Sequence, residues 1–252
     1  MLEVKDLSLG YGEHRVLSGI TFALRQGELV SVIGANGCGK STLLKGMLGM
    51  LSPDAGESVL EGRPLSEIKR NEIAKSVAYL AQGKNTPDMT VERMVLHGRF
   101  PHLAYPRRYG KRDRIIAHAA MEKMGVSSFA DTPLATLSGG MRQNAYIAMA
   151  LAQDTPYILM DEPTTYLDAS HALSVMKTLR SLAEEGKGIL TVMHDLPLAF
   201  AFSDKIIVLK DGKVAAEGTP DEIAASHVVE DSFGVSLSRT ETGTYYYNYK
   251  NG

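Results

Sequence analysis

Polar and apolar residues alternate at the start of the chain and then give way to continuous apolar runs. Leu2, Val4 and Leu7 are apolar among polar neighbours, and residues 16–22 resume the alternation after a glycine turn. Such alternation predicts strands of an antiparallel sheet that exposes one face to solvent. We therefore expect a small antiparallel β subdomain that begins within residues 1–28.

Four continuous apolar runs have the character of strands that are buried on both faces. They span residues 29–33, 157–160, 189–193 and 206–209. Between the second and third runs, residues 170–185 repeat apolar side chains on one helical face. The residues of that face are Ala172, Val175, Met176, Leu179, Leu182 and Ala183. Alternating strands and helices predict an α/β fold with a mostly parallel sheet.

Residues 86–150 show helical patterns and no clear strand, so we expect a helical subdomain inserted into the α/β core. The length of 252 residues suits one composite domain of this kind. Residues 1–85 and 151–225 would form the core with its N-terminal β subdomain, and residues 226–252 would form a tail.

The tail carries its own strand pattern. Residues 235–239 and 244–249 are rich in β-forming side chains and flank Thr242 and Gly243. This arrangement predicts a terminal β-hairpin.

Composition excludes several classes of protein. The formal net charge is −2, so no basic excess points to nucleic acid as a partner. A single cysteine, Cys38, rules out an internal disulfide framework. The first residues lack the pattern of a signal peptide, and no uninterrupted apolar stretch has membrane-spanning length. We therefore expect any role at a membrane to require a partner protein.

One glycine-rich segment has the residues of a phosphate-binding loop. Residues 34–41 read Gly-Ala-Asn-Gly-Cys-Gly-Lys-Ser and match G-x-x-x-x-G-K-[ST] between a predicted strand and a predicted helix. Glycines let successive backbone N–H groups point at one anion, and the helix directs its positive end to the same place. Lys40 adds a full charge near the outer phosphates, and Ser41 offers a hydroxyl to Mg²⁺. The alternative is a bare glycine turn, and a random chain of this length would match the pattern roughly once in a hundred.

The second apolar run ends in two carboxylates, Asp161 and Glu162. Active groups gather at the carboxyl ends of parallel strands. Asp161 can hold Mg²⁺ or its water, and Glu162 can polarise a water for attack on a γ-phosphate. The alternative is a polar strand end in solvent, which the phosphate loop upstream disfavours.

Two further polar residues follow apolar runs in the same manner. His194 follows residues 189–193 and can contact the γ-phosphate and orient the attacking water. Gln82 follows residues 77–81, which predict another strand, and its amide can touch Mg²⁺ or its water. The alternatives are a histidine without function and an ordinary surface glutamine. Neither residue would be singled out without the phosphate loop and the acidic strand end in the same chain.

Residues 137–141, Leu-Ser-Gly-Gly-Met, predict the start of a helix that Ser138 caps. Gly139 and Gly140 cost stability in a first turn, so they suggest bare backbone that approaches a ligand. The alternative is a capped helix start with two glycines. The predicted buried stripe of this helix comprises Met141, Ala145, Ala148, Met149 and Ala152. Two phosphate-binding helix ends in one chain suggest a nucleotide held between two copies.

Taken in order, these residues closely resemble the ATP-binding cassette family, from about Leu2 to about Glu222. The features that carry the resemblance are, in order, the aromatic Tyr11, the phosphate loop at 34–41, Gln82, the signature turn at 137–141, the acidic pair Asp161 and Glu162, the Thr-Tyr-Leu-Asp segment at 165–168 and His194. The resemblance implies an enzyme that hydrolyses ATP to ADP and phosphate.

The family implies a role for each matching position. Tyr11 would stack on adenine with Val16 nearby, and the phosphates would lie on Gly34, Asn36, Gly37, Cys38, Gly39, Lys40, Ser41 and Thr42. Ser41, Gln82 and Asp161 would surround Mg²⁺. Glu162 would be the catalytic carboxylate, assisted by Gln82 and by His194 as the γ-phosphate switch. Ser138, Gly139 and Gly140 would bind the nucleotide of a second copy, and Asp168 would lie at the seam of that dimer.

Two positions depart from the family pattern. Met141 stands where Gln or Glu is usual, and Asn144 stands where Arg is common. Ser138 and both glycines are retained, so we expect phosphate contact and ATP hydrolysis to survive. A polar contact near the ribose or the partner would be lost.

Short segments point to a branch of the family. Residues 98–102, Gly-Arg-Phe-Pro-His, and residues 169–171 are similar to importers of the iron–siderophore, haem and cobalamin type. The alternative for Arg99 to His102 is an ordinary helix end stopped by proline.

The branch implies an assembly at a membrane. The chain would sit peripherally on the cytoplasmic face of the cell membrane and energise integral membrane permease subunits. Residues 82–105 would form the groove for a permease helix, and a substrate-binding protein would act indirectly. A second copy of the chain would complete an ATP sandwich.

Two other classes of function compete with transport. A soluble cassette ATPase could serve iron–sulfur cluster assembly or another assembly that is not a transporter. A regulator without hydrolysis is disfavoured, because Glu162, Gln82 and His194 are all present. The cargo is not encoded in these motifs.

Overall fold

A six-stranded sheet forms the centre of the computed structural model, which describes residues 1–83, 86–165, 167–241 and 243–248. Its strands are β3 Leu29–Gly34, β6 Val77–Leu80, β7 Tyr157–Asp161, β8 Gly188–Val192, β9 Lys205–Lys210 and β10 Lys213–Gly218. They lie in the order β10-β9-β3-β8-β7-β6. All neighbours pair in parallel except β10 with β9. The predicted mostly parallel sheet is confirmed. Strand β10 was not predicted, because half of its residues face solvent and it lacks an apolar run.

A second sheet of four antiparallel strands contains the start of the chain. Its strands are β1 Leu2–Tyr11, β2 His14–Leu24, β4 Ala55–Leu60 and β5 Arg63–Pro64, in the order β2-β1-β4-β5. Leu2, Val4 and Leu7 are buried, as the alternation predicts. The sequence did not indicate β4 or β5, because their residues carry no clear alternation. This sheet shares one hydrophobic cluster with one face of β3, so it is packed onto the central sheet.

Helices cover the central sheet and connect its strands. They are α1 Lys40–Met47, α2 Arg70–Ser76, α6 Ala169–Glu184, α7 Leu196–Phe202, α8 Pro220–Ala225 and α9 Val228–Phe233. The six apolar residues predicted on one face of α6 are all buried. Their burial confirms the helical period seen in the sequence.

Three further helices lie in the predicted helical region: α3 Val91–His97, α4 Lys111–Lys123 and α5 Gly139–Ala152. Short 3₁₀ turns accompany them at Phe100–His102, Ser127–Phe129 and Leu134–Thr136. The predicted stripe on α5 is partly wrong. Met141 and Met149 are only half-buried, whereas Ile147, Ala150 and Leu151 are buried. Helix α5 packs against α3, α4 and β6, so it buries a wider face than one stripe.

One hydrophobic cluster crosses the expected subdomain boundaries. It includes Ile33 of the sheet, Val95 of α3 and Tyr245 of the tail. Packing therefore does not locate the boundaries, and the division at residues 85, 150 and 225 stays a prediction.

The tail forms an antiparallel hairpin of β11 Ser236–Arg239 and β12 Tyr245–Asn248, which confirms the predicted strands. Thr242 of the predicted turn, the last four residues and Tyr166 of the Thr-Tyr-Leu-Asp segment lie outside the described residues. Across the described ranges, none of the helices is both long enough and apolar enough to cross a membrane.

Candidate active site

The phosphate-binding loop connects β3 to α1, and close packing explains one of its glycines while backbone conformation explains another. A Cβ at Gly34 would lie 2.5 Å from Cys38 Sγ and from the Leu209 carbonyl oxygen. Gly39 has a φ of +103°, a left-handed conformation that other residues rarely adopt. The loop therefore curls tightly and directs α1, with its positive end, at the same concave surface.

Lys40 is already held over this loop. Its side chain is buried, and Nζ donates to the carbonyl oxygens of Gly34 at 2.8 Å and Ala35 at 3.0 Å. These bonds fix the ammonium group at the loop. A cavity of about 390 Å³ beside the loop is lined by residues that include Val16, Asn36 and Cys38. The structure thus brings Val16 to the loop.

Asp161 at the end of β7 is a buried acid beside the phosphate loop. Burial raises the pKa of its carboxyl group above the ordinary value, while a hydrogen bond from Ser41 and the charge of Lys40 act in the opposite direction. Among the described residues, its Oδ1 is buried without a hydrogen-bond partner. An orphaned carboxylate oxygen next to a serine hydroxyl is a donor set that suits Mg²⁺.

No group of three or more His, Cys, Asp and Glu side chains in the described part of the chain could hold a metal by itself. In phosphate-binding sites Mg²⁺ takes one or two protein ligands and fills its remaining positions with phosphate oxygens and water.

Glu162 is the centre of a hydrogen-bonded cluster at the edge of the sheet. Its Oε2 accepts from Gln82 Nε2 at 2.7 Å and from Thr165 Oγ1 at 2.9 Å. His194 Nε2 lies 2.5 Å from Oε1. The backbone of Glu162 has a φ of +54°, which is uncommon for a residue with a side chain and marks a constrained position.

Neighbouring strands bring this cluster together. Gln82 follows β6, Glu162 follows β7 and His194 follows β8, and these three strands are adjacent and parallel. Sequence reasoning placed all three residues at strand ends but assigned no role to Thr165. The signal for Thr165 was present, because a hydroxyl three residues after a carboxylate can reach back to it across a turn.

The signature turn lies in a different group of contacts. Ser138 Oγ accepts from Met141 N at 3.3 Å and so caps α5 as predicted. A Cβ at Gly140 would lie 3.2 Å from the His171 ring. The structure therefore adds a reason within the chain for the glycine at 140, because the imidazole occupies the space of a side chain.

Asp168 is the N-cap of α6 and belongs to the same group. Its carboxylate accepts from His171 N at 2.9 Å and from Ser170 Oγ at 2.8 Å, and Oδ2 lies 2.8 Å from His171 Nδ1. These hydrogen bonds lower the pKa of Asp168 well below its usual range. The group is linked to the acidic strand end because Gln143 Nε2 donates to the Pro163 carbonyl oxygen at 2.9 Å.

The two departures from the family pattern lie on the first turns of α5. Met141 packs against the main hydrophobic cluster. Asn144 Nδ2 donates to the Met124 carbonyl oxygen at 3.1 Å. Both side chains thus have partners inside this chain.

Tyr11 stands apart from both groups. It is the last residue of β1 rather than part of the following turn, and 49% of its surface is exposed. Lys45 Nζ lies 5.9 Å from the centre of its ring. The ring is therefore available for stacking on the side of α1.

The buried guanidinium group of Arg99 binds the C-terminal end of α5. Arg99 is 4% exposed; its Nε donates to Asp113 Oδ1 at 3.1 Å and Nη1 donates to the Ala152 carbonyl oxygen at 2.9 Å. His102 Nε2 lies 2.8 Å from the Gln153 carbonyl oxygen. The Gly-Arg-Phe-Pro-His segment therefore occupies the last carbonyl groups of α5, which a helix end leaves without intrahelical partners.

A phosphate loop after β3, with a histidine after the adjacent strand β8 and a buried acid and a carboxylate at the end of β7 beyond it, defines a P-loop ATPase. The protein-family comparison agrees and is more specific. The model described as "ABC transporter" matches residues 17–165, which is more than half of the chain. The chain belongs to the ABC transporter family and is an ATP-binding subunit that hydrolyses ATP to drive transport.

Sequence relatives cover almost the whole chain. The chain is 39% identical over 236 residues to the ferric enterobactin transport ATP-binding protein FepC of Escherichia coli (strain K12). That alignment covers 93% of this chain and 87% of FepC. The chain is thus similar to FepC along most of the length of both proteins.

Two solved structures show the same fold. One is an inward-facing transporter assigned to the metal-chelate type of ABC transporter, with a TM-score of 0.85 and 26% identity over 99% of this chain and 98% of that chain. The other is a dimeric ATP-binding cassette in a post-hydrolysis state bound to ADP and Pi, with a TM-score of 0.76 and 30% identity over 87% of this chain and 99% of that chain. Complexes with transporter subunits and dimers of cassettes therefore both occur among the structural neighbours.

Proposed function

We propose that this chain energises the import of iron chelates of the siderophore type through a permease in the cell membrane. The observation that carries the proposal is the 39% identity to a ferric enterobactin subunit along nearly the whole chain. The Gly-Arg-Phe-Pro-His segment supports the same branch, because it builds a specific clamp on α5 rather than a plain helix end. The chain would act peripherally at the cytoplasmic face.

A groove for the permease lies beside this clamp. A cavity of about 370 Å³ has mostly apolar walls that include Met50, Ile73, Val77 and Gln153. Met50 and Phe100 are large apolar residues with high exposure, at 67% and 46%. An apolar helix of a permease subunit would cover this surface. The residues that line this cavity lie at the end of α1, on α2 and β6 and at the end of α5, outside residues 82–105. The predicted segment 82–105 adds the exposed Phe100 to the proposed surface.

Helix α5 joins this groove to the signature turn. Its C-terminal end meets Arg99 and His102, and its N-terminal end carries Ser138 and the two glycines. A helix of 14 residues spans about 21 Å as one rigid body. Movement of a permease helix in the groove would therefore reach the nucleotide site through α5.

The residues at the strand ends would perform hydrolysis. Glu162 would accept a proton from the attacking water. The hydrogen bonds to Gln82, Thr165 and His194 would fix the orientation of its carboxyl group. Lys40 would exchange its carbonyl partners for phosphate oxygens. Ser41 and Asp161 would hold Mg²⁺, which supplies charge neutralisation to the phosphates when bound.

A second copy of the chain would complete each site. Gly139 and Gly140 lie in the first turn of α5, where an α-helix leaves its N–H groups without intrahelical partners. Their turn lies against the ring of His171, which is hydrogen-bonded to Asp168. A two-fold pairing would place this turn against the γ-phosphate of the other chain, with Asp168 at the seam.

Uptake measurements test the proposed import. A strain that lacks the gene should lose uptake of ⁵⁵Fe bound to a siderophore, and the parent gene but not its Lys40→Ala variant should restore it. Uptake should be measured separately for catecholate siderophores, hydroxamate siderophores, haem and cobalamin, because the experiment must also identify the cargo. Unchanged uptake of every chelate, together with loss of iron–sulfur enzyme activity, would replace the proposal with the soluble assembly ATPase.

A further inference from the structure

The C-terminal hairpin contacts the helix that begins directly after His194. The hydroxyl oxygen of Tyr247 on β12 accepts a hydrogen bond from the backbone N–H of Leu196 at 3.3 Å. Leu196 is the first residue of α7, two positions after the histidine. Tyr247 of the tail thus contacts the segment that contains His194 of the candidate active site.

This hydrogen bond completes the cap of α7. The first N–H groups of a helix lack intrahelical partners and need other acceptors. Asp195 supplies one acceptor, because its side chain accepts from Leu198 N at 3.0 Å. Pro197 has no N–H, so the remaining early donor is Leu196, and Tyr247 receives it. The start of α7 is therefore shared between the loop of His194 and the hairpin.

The hairpin itself is firmly anchored. Arg239 Nη1 donates to both carboxylate oxygens of Asp221 on α8, at 2.8 and 2.9 Å. The Tyr245 hydroxyl donates to the same carboxylate. The Tyr245 ring meets Phe200 of α7 edge to face, with 5.2 Å between ring centres. The hydrogen bond from Leu196 to Tyr247 and the ring contact between Phe200 and Tyr245 therefore hold α7 against the hairpin at two points.

We propose that the C-terminal hairpin is a positioning element for the hydrolysis site, and that Tyr247 sets the backbone from which His194 reaches Glu162. His194 Nε2 lies 2.5 Å from Glu162 Oε1, within hydrogen-bond distance, so a displaced loop would lengthen or break this contact. Catalytic groups lose efficiency when they shift by a fraction of an ångström. The inference rests on the proposed role of His194 in ATP hydrolysis and is independent of the cargo.

A pair of conservative variants tests it. Tyr247→Phe removes only the hydroxyl group, and Tyr246→Phe makes the same change on an exposed neighbour of the same strand. In the full chain with ATP and Mg²⁺, Tyr247→Phe should lower kcat by about three- to tenfold, the range expected for the loss of one hydrogen bond. The KM for ATP should stay within about twofold, because the phosphate loop is untouched. Tyr246→Phe should match the parent in both constants.

Histidine ring NMR supplies a readout that a loss of stability would not mimic. The ¹⁵N resonance of His194, assigned with His194→Gln, should shift in Tyr247→Phe and stay in place in Tyr246→Phe. Equal kcat and an unmoved His194 resonance in Tyr247→Phe would overturn the proposal. So would a loss of kcat that follows the thermal unfolding midpoint while the resonance stays unmoved.

A third variant separates this inference from the site assignment. His194→Ala should abolish most turnover if His194 serves hydrolysis. Full activity in His194→Ala would refute the role of His194, and with it the purpose of the cap. Loss of activity in His194→Ala beside parent-like behaviour of Tyr247→Phe would leave the site assignment intact and reject the hairpin alone.

Discussion

His194 Nε2 lies 2.5 Å from Glu162 Oε1, although the two residues are 32 positions apart and follow different strands. The contact exists because β7 and β8 are neighbours in a parallel sheet and end at the same edge. Gln82 and Thr165 hold the second carboxylate oxygen. Glu162 is therefore restrained from three directions before it meets any substrate.

This restraint predicts a selective defect in Glu162→Gln. The amide keeps the shape of the side chain and loses the basic oxygen, so steady-state ATPase activity should fall by about 10²- to 10⁴-fold. ATP binding should persist, and an ATP-bound dimer should accumulate on size-exclusion chromatography. Glu122→Gln on the exposed face of α4 is the matched control and should behave as the parent does. Turnover within a few-fold of the parent would contradict the assignment.

Tyr11 should contribute a stacking face to adenine. The ring is half-exposed at the end of β1, and such stacking is worth about 1–3 kcal/mol. Tyr11→Ala should therefore weaken ATP binding by about 5- to 150-fold in Kd and should weaken GTP binding by a similar factor, since stacking reads little of the base edge. Equilibrium binding of both nucleotides measures the effect. Tyr246→Ala is the control, and unchanged affinity in Tyr11→Ala would give Tyr11 a structural role only.

Asp161 should make stability depend on pH and on Mg²⁺. Burial raises the pKa of its carboxyl group in the folded chain above that in the unfolded chain. The ionised carboxylate therefore destabilises the fold at neutral pH, and this cost fades as the pH falls through the folded pKa. Asp161→Asn should raise the Tm of the nucleotide-free chain at pH 7, with a smaller gain in acid.

The same variant should lose the response to the cation. The parent should be stabilised more by ATP with Mg²⁺ than by ATP with EDTA, and in Asp161→Asn this difference should vanish. Thermal unfolding measures both effects, and Asp131→Asn on the exposed surface serves as control. A lower Tm with an unchanged Mg²⁺ response would exclude Asp161 as the buried cation ligand.

The ATP sandwich predicts complementation between two inactive chains. Lys40→Ala removes the charge of the phosphate loop, and Ser138→Arg blocks the signature turn. A mixed dimer has one composite site with both changes and one with neither, so part of the ATPase activity should return on mixing. Mixtures that contain heterodimers and recover no activity would count against independently active sites.

Crosslinking tests the same dimer without relying on turnover. Cysteines at Asn36 and Gly139, in a chain with Cys38 replaced by serine, should crosslink between chains only when ATP is present. We choose Asn36 for the cysteine in the phosphate loop because the next residue, Gly37, has a left-handed φ of +81° that would strain a cysteine. Crosslinks within single chains alone would end the sandwich proposal.

Much of this site follows from local sequence. The spacing of glycines and Lys40 in residues 34–41 dictates a loop between strand and helix, and the apolar runs place Gln82, Glu162 and His194 at strand ends. These features depend on residues a few positions apart, so the chain specifies them wherever the segment packs. The α6 face was predicted residue by residue for the same reason.

Tertiary structure alone decided which of these groups meet. The order of β6, β7 and β8 brings three strand ends to one carboxylate, and no local pattern contains that order. The packing of Gly140 against His171 and the bond from Leu196 to Tyr247 join segments that are far apart in the chain. Local patterns report which face of an element is apolar, whereas contacts between distant segments depend on how whole elements share a core. The sequence therefore predicted which residues follow the strands, and the fold determined which other residues hold them in position.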